Sequence, residues 1–358
     1  EDPPQNAMAV SDVSQENEDY CQKTQQKILD LVSSIRGVGE VQVWVTNAAE
    51  GQKLRYTLYD AAENALQTVE SDETTASFVI ENAHLWHGRK DPYLYCCEAE
   101  LLEEGQVIDS VCTRFGCRSF EIDANRGFIL NGEEYPLRGV SRHQDRWGKG
   151  NALSKEDHEQ DIELICEVGA TTIRLAHYQH DQYFYDLCDK YGMFVWQDMP
   201  NGGGDYDMLF VTELTNAYNW IARNVTDDHY AWFMRDDEEG RAQYYVDLKA
   251  MIAELYNHPC IATWVPFNEG WGQFDANKAT EVIRSVDPTR FVNEACGWFD
   301  QHGGDMYSIH NYAPGLDITA QPDRVVALTE FGGYAFAMPG HLACEKEFGY
   351  QSYRSQEE

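Results

Sequence analysis

The order of apolar and polar positions divides the chain into two parts. From Gly39 to about Ile122, short stretches alternate apolar and polar residues, with turn residues between them. This alternation is typical of strands that have one buried face. The sequence between the stretches leaves no room for long helices, which predicts a small β-sandwich over residues 39–122. The clearest strands are Val41–Val45, Leu54–Leu58, Ser77–Ile80 and Tyr93–Cys97.

From residue 123 to residue 358, apolar strands alternate with helices such as Ser154–Val168 and Arg241–Tyr256. Strand–helix alternation over more than 200 residues predicts a parallel sheet, here a (β/α)8 TIM-type barrel. A doubly wound sheet is the alternative, but no G-x-G-x-x-G follows the first strand. The eighth strand is not apparent, so the barrel is predicted to be incomplete. The seven predicted strands are Leu137–Val140, Thr171–His177, Met193–Asp198, Cys260–Asn268, Phe291–Ala295, Met306–His310 and Val325–Glu330.

Residues 1–38 have no assigned domain. Their first part is polar, and the stretch around Thr24–Val32 has the apolar spacing of one amphipathic helix.

The net charge of −34 arises from 61 acidic and 27 basic residues among 358. This charge repels nucleic-acid phosphates and anionic membrane surfaces, and neither is an expected partner. It favours a neutral or weakly polar ligand. The alternative interpretation is that the acidity only maintains solubility.

Ten cysteines are present, but no two form a C-x-x-C pair, which excludes the spacing of a zinc knuckle. Several lie in apolar runs, where cysteine behaves as a small apolar residue. Free cysteines and no signal-peptide pattern in the first ten residues predict a cytoplasmic location.

Polar residues follow most of the predicted barrel strands. Because catalytic residues of such barrels lie at the carboxyl ends of the strands, we expect these side chains to converge. Glu269 and Glu330 each end an apolar strand, and two carboxyl groups are what the hydrolysis of a glycosidic bond with retention requires. The structural alternative is a pair of buried glutamates neutralised by arginine.

The spacing of these motifs resembles family 2 of the glycoside hydrolases over roughly residues 40–350. The upstream Pro92-Tyr-Leu-Tyr95 and Phe115-Gly116 resemble its immunoglobulin-like domain. The barrel motifs that carry the resemblance are Phe128-Ile-Leu-Asn-Gly132, Leu137-Arg-Gly-Val140, Arg142-His143, Ile173-Arg174-Leu-Ala-His177-Tyr178, Val195-Trp196-Gln-Asp198, Asn257-His-Pro259, Asn268-Glu269 and Glu330. The family's N-terminal sugar-binding domain and last barrel strand are not recognisable.

The resemblance implies roles for individual residues. Glu269 is expected to be the general acid/base and Glu330 the nucleophile, kept ionised by Arg174. The remaining expected substrate-binding residues are His143, His177, Asp198, Asn268, Trp298, His310 and Tyr312. For Trp298 and Tyr312, ordinary packing is an equal alternative to contact with sugar.

The function implied is that of a retaining exo-β-glycosidase, with a β-galactoside as the first expected substrate. A β-glucuronidase, a β-mannosidase and a catalytically weak carbohydrate-binding fragment of such an enzyme are the alternatives. No organic cofactor is expected. Binding of Mg²⁺ is an open alternative, although no ligand set for it is recognisable. A homo-oligomer is also an open alternative.

Overall fold

The computed structural model describes residues 26–32, 39–45, 52–201, 207–215, 218, 220–312, 318–321, 323–340, 342 and 348–355. Their contacts divide into two compact units. The first comprises the described parts of Glu1–Trp86, Tyr93–Arg118 and Glu254–Pro259. The second comprises those of His87–Pro92, Ser119–Ala253 and Cys260–Glu358.

Two antiparallel sheets form the first unit. One has the strand order β1-β2-β5, and the other has the order β4-β3-β6-β7. The strands are β1 Gln26–Val32, β2 Gly39–Val45, β3 Lys53–Tyr59, β4 Ala65–Ser71, β5 Thr75–Ile80, β6 Tyr95–Glu103 and β7 Gln106–Phe115. The four predicted strands are therefore confirmed.

Alternation explains the core between these sheets. In β5, Ala76, Phe78 and Ile80 are buried while the residues between them are exposed, as a period of two requires. A single apolar cluster results. It comprises Val41, Val43, Leu54, Tyr56, Leu58, Ala76, Phe78, Ile80, Ala83, Tyr95, Cys97, Ala99, Phe115 and Cys117.

The helix predicted around Thr24–Val32 is wrong for the described part of that stretch. Gln26–Val32 forms β1, which pairs antiparallel with all of β2, from Gln26 opposite Val45 to Val32 opposite Gly39. Its apolar spacing also suits a helix, but backbone pairing with a neighbouring strand decides the conformation of so short a segment.

The prediction that all cysteines are free is also wrong. Cys96 on β6 and Cys112 on β7 form a disulfide. The two strands are antiparallel neighbours with Cys112 opposite Glu98, so the cysteines are diagonal partners across the sheet, although they lie 16 positions apart in sequence. The thiols of Cys97, Cys166, Cys188, Cys260 and Cys296 are not in a disulfide.

In the second unit, three short antiparallel strands precede the parallel strands. These are β8 Phe120–Asp123, β9 Gly127–Leu130 and β10 Glu133–Glu134, in the order β10-β9-β8. A short 3-10 turn lies at Gly88–Lys90.

All seven predicted barrel strands are present. Five form a parallel sheet in chain order: β11 Gly139–Arg142, β12 Thr172–Leu175, β13 Phe194–Asp198, β14 Ile261–Val265 and β15 Phe291–Val292. β16 Met306–Asn311 and β17 Val325–Phe331 form a separate parallel pair. A last parallel pair, β18 Tyr334–Ala335 and β19 Gln351–Ser352, is only two residues long. That the barrel is incomplete stays a prediction.

Helices follow the strands as predicted. They are α1 Lys155–Glu167, α2 Gln182–Tyr191, α3 Trp220–Asn224, α4 Glu238–Leu255 and α5 Ala276–Val286, and one π-helical turn lies at Leu209–Leu214. The predicted N-cap at Ser154 is confirmed, because its side chain and that of Asp157 form a reciprocal capping box. No helix in the described part of the chain is long and apolar enough to span a membrane.

Burial of the parallel strands explains their apolar sequences. Every residue of β12 and β14 is buried, as in sheets that have both faces covered. The polar residues within and just after these strands are consequently held at one edge of the sheet.

Gly192 ends α2 in the left-handed conformation with φ of 68°. A Cβ there would lie 2.1 Å from the backbone oxygen of Gly88. Gly192→Ala should therefore lower the free energy of unfolding by about 3 kcal/mol or more, measured by urea denaturation. Gly169→Ala is the control, because Gly169 has φ of 77° and nothing within 4 Å of its Cβ position. It should cost about 1–2 kcal/mol. Equal losses would contradict the close-contact explanation.

Candidate active site

Side chains from five strands meet in one hydrogen-bonded network. Arg174 lies on β12, Asp198 on β13, and Glu269 follows β14. His310 lies on β16 opposite Glu330 on β17. The strand ends therefore bring together residues that are up to 156 positions apart in sequence.

Arg174 is the centre of this network, and its side chain is only 5% exposed. Its Nε donates to Oδ1 of Asp198 at 3.0 Å, and its Nη2 donates to Oδ2 at 2.8 Å. Nη2 also donates to Oδ1 of Asn268 at 2.6 Å, and Nη1 to Oε1 of Glu330 at 2.5 Å. One guanidinium thus orients two carboxylates and an amide.

Glu330 is held as an anion by its neighbours. Burial by itself would raise its pKa, but the positive charges of His310 and Arg174 and a hydrogen bond from Tyr312 lower that pKa below its usual 4.5. Nδ1 of His310 lies 3.9 Å from its Oε2.

Tyr312 connects the two glutamates. Its hydroxyl lies 2.7 Å from Oε1 of Glu269 and also contacts Oε2 of Glu330. A phenol has one proton, so it donates to one carboxyl group at a time. Its contact with the other carboxyl group is a hydrogen bond only if that group carries a proton. The geometry therefore suits a pair that shares one proton. Arg174 contacts Glu330, so Glu330 is the carboxyl group of the pair that is stabilised as an anion.

Glu269 is buried at 5% exposure. Its backbone N donates to the carbonyl of Cys296 at 2.8 Å, and Asn268 forms a parallel bridge with Cys296. Its Oε1 lies 2.7 Å from Nδ1 of His310. Its φ of 52° is unusual for a residue other than glycine, and a backbone held in such a conformation is frequent at functional sites.

His310 lies between Glu269 and the thiol of Cys296. Its Nε2 is 3.2 Å from Sγ of Cys296. Burial disfavours its charged form, but contacts with Cys296 and Glu269 and the charge of Glu330 outweigh burial and raise the pKa of His310 to about 9.

Two further histidines extend the network outward. Nδ1 of His177 lies 3.3 Å from Oδ2 of Asp198, and the side chain of His177 is 39% exposed. The ring of His143 lies 5.2 Å from that of His177. Both are placed where a ligand from solvent can reach them.

An open cavity of about 350 Å³ lies beside this network. His177, Asp198 and Asn268 line it together with Met199, Asn201, Val265 and Trp271. Polar groups on an apolar wall suit a small polar ligand such as a sugar ring.

The structure connects all the predicted site residues except Trp298. Trp298 packs against the apolar cluster of Val211, Ile221, Phe233 and Phe299. It also lines a second cavity, of about 490 Å³, with residues that include Tyr307 and Asp300. The packing alternative considered for Trp298 therefore has direct structural support.

Two residues of the site were not predicted from the sequence. Cys296 follows β15, where the strand-end rule applies, but a cysteine in an apolar run predicts only a small apolar residue. The Tyr350 ring stacks on Tyr312 with centroids 4.0 Å apart and planes 15° apart. No pattern in the segment after Glu330 indicates this contact.

Glu269, His310 and Glu330 offer ligand atoms within 4.8 Å of one another. The arrangement does not fit Mg²⁺, which prefers oxygen ligands and keeps several waters. One of the three donors is an imidazole, and the guanidinium of Arg174 already contacts Glu330.

Two family models match the chain. "Glycosyl hydrolases family 2, TIM barrel domain" matches residues 121–312. "Glycosyl hydrolases family 2" matches residues 23–118, which include β1.

Curated relatives cover much of this chain. A protein of Bacteroides fragilis named "Beta-glucuronidase" is 33% identical over 279 residues, which are 72% of this chain and 37% of the relative. A protein of Halalkalibacterium halodurans named "Beta-galactosidase" is 28% identical over 66% of this chain and 22% of its own length. The chain thus spans well under half the length of these relatives.

Solved structures of proteins with these two names also align with the chain. The FMN-binding beta-glucuronidase from Facaelibacterium prausnitzii L2-6 aligns with a TM-score of 0.67 and 29% identity, covering 82% of this chain and 43% of that one. The putative beta-galactosidase from Bacteroides fragilis aligns with a TM-score of 0.67 and 27% identity, covering 87% and 47%.

The buried pair of Arg174 and Asp198 predicts a pH-dependent loss of stability in Asp198→Asn. Burial would raise the pKa of Asp198, but Arg174 and His177 lower it below 3.8. A lowered native pKa stabilises the fold above the unfolded pKa, and this stabilisation is lost as the pH falls through the native value. At pH 7, the free energy of unfolding should fall by about 2–4 kcal/mol in urea denaturation.

The difference between wild type and Asp198→Asn should narrow below about pH 4. Glu133→Gln is the control, because Glu133 pairs with Lys90 through side chains that are more than 60% exposed. It should change stability by less than about 1 kcal/mol. A loss in Asp198→Asn no larger than this would refute the importance of the buried pair.

Proposed function

Because the chain belongs to glycoside hydrolase family 2, we propose that it carries the catalytic centre of a retaining exo-β-glycosidase. The observation that carries the proposal is the pair of glutamates. One carboxylate oxygen of Glu269 lies within 4.8 Å of one of Glu330. Retaining enzymes place the two carboxyl groups about 5–5.5 Å apart, whereas inverting enzymes need about 6.5–9.5 Å to admit a water molecule.

In the first step, an oxygen of Glu330 attacks the anomeric carbon while Glu269 gives its proton to the leaving oxygen. The C–O bond to the aglycone breaks and a glycosyl ester on Glu330 forms. Arg174 and Tyr312 hold the Glu330 oxygens in position before attack. As Glu330 loses its charge to the new bond, the Tyr312 hydroxyl becomes available to Glu269, which is then the anion.

In the second step, Glu269 accepts a proton from water, and the hydroxide attacks the same carbon. The ester bond breaks and Glu330 leaves as a carboxylate. Asn268, whose Oδ1 accepts from Arg174 at 2.6 Å, lines the cavity in which the sugar would bind. His177 lies on the same cavity wall.

A β-galactoside is the first candidate substrate. The described lining of the cavity beside the glutamates includes Asp198, Asn201 and Asn268 but neither lysine nor arginine. A uronic acid carboxylate generally requires a cation to bind it. The acidic composition of the chain favours a neutral sugar in the same way.

A β-glucuronide is the second candidate, and its support is the name of the Bacteroides fragilis relative at 33% identity. A β-mannoside has no specific observation in its favour. A purely binding function has less support, since both glutamates and the cation beside Glu330 are in place.

For the fold, we propose that the sandwich is immunoglobulin-like. Its seven strands in antiparallel sheets of three and four support this assignment.

Hydrolysis of p-nitrophenyl β-galactoside, β-glucuronide, β-mannoside and β-glucoside tests the function, and we expect the galactoside to be cleaved fastest. Glu330→Gln should lower kcat by about 10⁴-fold, since no nucleophile remains. Glu281→Gln, at an exposed helix position, should leave the rate unchanged. Preference for the glucuronide would replace the substrate assignment. Full activity of Glu330→Gln would overturn the mechanism.

Leaving groups of different basicity separate the two glutamates. Glu269→Gln should slow release of a poor leaving group such as an alkyl alcohol by about 10²–10⁴-fold, because protonation is then essential. A dinitrophenyl glycoside needs no protonation, and its first step should be nearly as fast as in wild type. If both substrates slowed equally, Glu269 would not be the acid.

The pH profile tests Arg174. Because the Arg174 charge lowers the pKa of Glu330, Arg174→Gln should move the acid limb of kcat/KM upward by about one unit or more. Activity needs ionised Glu330, so the variant loses activity at a higher pH than wild type. Arg284→Gln, at a surface ion pair, should keep the wild-type limb. An unmoved limb in Arg174→Gln would exclude this role.

A further inference from the structure

Cys296 lies directly behind the general acid/base and is fully buried. Its backbone N donates to the carbonyl of Phe267 at 2.9 Å, and its carbonyl accepts from the N of Glu269 at 2.8 Å. Two backbone hydrogen bonds on either side of Cys296 thus fix it beside the segment that carries Glu269.

The thiol contacts the residue that contacts Glu269. Sγ of Cys296 lies 3.2 Å from Nε2 of His310, and Nδ1 of His310 lies 2.7 Å from Oε1 of Glu269. The imidazole therefore connects a thiol on one side to a carboxyl group on the other.

The position of the imidazole is tightly constrained. A Cβ on Gly297 would lie 2.5 Å from Cγ and Nδ1 of His310. Ser308 Oγ accepts from the N of Gly297 at 3.1 Å and lies 3.6 Å from Sγ of Cys296. Because the ring is confined in this way, the atoms facing its two nitrogens decide where its protons lie.

We propose that Cys296 is a positioning residue of the catalytic centre, whose thiol fixes the tautomer of His310 that presents Nδ1–H to Glu269. The proposal rests on the proposed function of Glu269 as acid/base. One proton lies between Sγ and Nε2, whether it is bonded to sulfur or to nitrogen. When the thiol keeps this proton, it donates to Nε2, and the single proton of the neutral ring is on Nδ1. When the thiol has transferred the proton to Nε2, the ring is an imidazolium that is protonated on Nδ1 as well. In both cases Nδ1–H is donated to Glu269.

The surrounding charges are consistent with this arrangement. Burial raises the pKa of the Cys296 thiol, but Arg174 and His310 outweigh burial and lower it below 9, against an opposing effect of Asp198. His310 is faced in turn by Glu269 and Glu330, with Tyr312 between these two carboxyl groups. A proton shared between sulfur and imidazole is thereby favoured.

Two other cysteines of the same unit provide matched controls. Cys188 and Cys260 are fully buried and free like Cys296. Burial raises their pKa well above 9. Neither belongs to the network around the glutamates. They have the burial of Cys296 without its contact to His310.

The kinetic test compares Cys296→Ala, Cys296→Val and Cys296→Ser with Cys188→Ala. Without a thiol, His310 can carry its proton on Nε2 and accept from protonated Glu269, which favours the acid form. The alkaline limb of kcat/KM should therefore move upward by about 0.5–1 pH unit in the Ala and Val variants. Val retains side-chain volume if Ala does not fold. Cys296→Ser restores a donor and should restore the wild-type limb, and Cys188→Ala should not move it.

An NMR test does not require activity. Protein labelled with 15N in histidine rings, with His310→Gln for assignment, reports which His310 nitrogen is protonated. Wild type, Cys296→Ser and Cys188→Ala should show protonated Nδ1, whereas Cys296→Ala and Cys296→Val should show a shift of the proton to Nε2. If the ring signals of these two variants equal those of wild type, the proposal is wrong. If wild type cleaves no glycoside but the shift occurs, the proposed function fails while the effect of the thiol on His310 stands.

Discussion

The site depends on the hydrogen bonds and ion pairs of the Arg174 guanidinium. It is almost fully removed from water and is surrounded by Asp198, Asn268 and Glu330. A buried cation is costly unless its donors are satisfied by charged or strongly polar partners. Three strand ends must therefore be in register before the charge is compensated. The same contacts that make burial of Arg174 tolerable also place Glu330 and the amide of Asn268 beside Glu269.

Charge is divided unequally between the two glutamates. Glu330 contacts Arg174 and has a lowered pKa. Glu269 is buried against His310 and Tyr312. The other ring nitrogen of His310 contacts the thiol of Cys296. Different surroundings of two chemically identical groups are the general means by which one carboxyl group serves as acid and another as base or nucleophile. The Tyr312 hydroxyl contacts both carboxyl groups.

The fold and the candidate site differ in how far they were predictable. Alternation in β5 and continuous burial in β14 follow directly from the residue types, so these strands were identified. The segment Gln26–Val32 is only seven residues long, and the spacing of its apolar residues suits both a helix and a strand. Its pairing with β2 decides that it is a strand. The Cys96–Cys112 disulfide likewise depends on the register of β6 and β7.

The sequence by itself determined which side chains end the parallel strands, because a strand that is apolar throughout and then polar must deliver its last residues to one edge of the sheet. Glu269 and Glu330 could be found in this way. Only the tertiary structure decided what each of them contacts. The stacking of Tyr350 on Tyr312, the thiol behind His310 and the packing of Trp298 away from the glutamates all depend on distances between segments far apart in the chain. Such distances are set by sheet register and packing, which residue types along one strand do not encode.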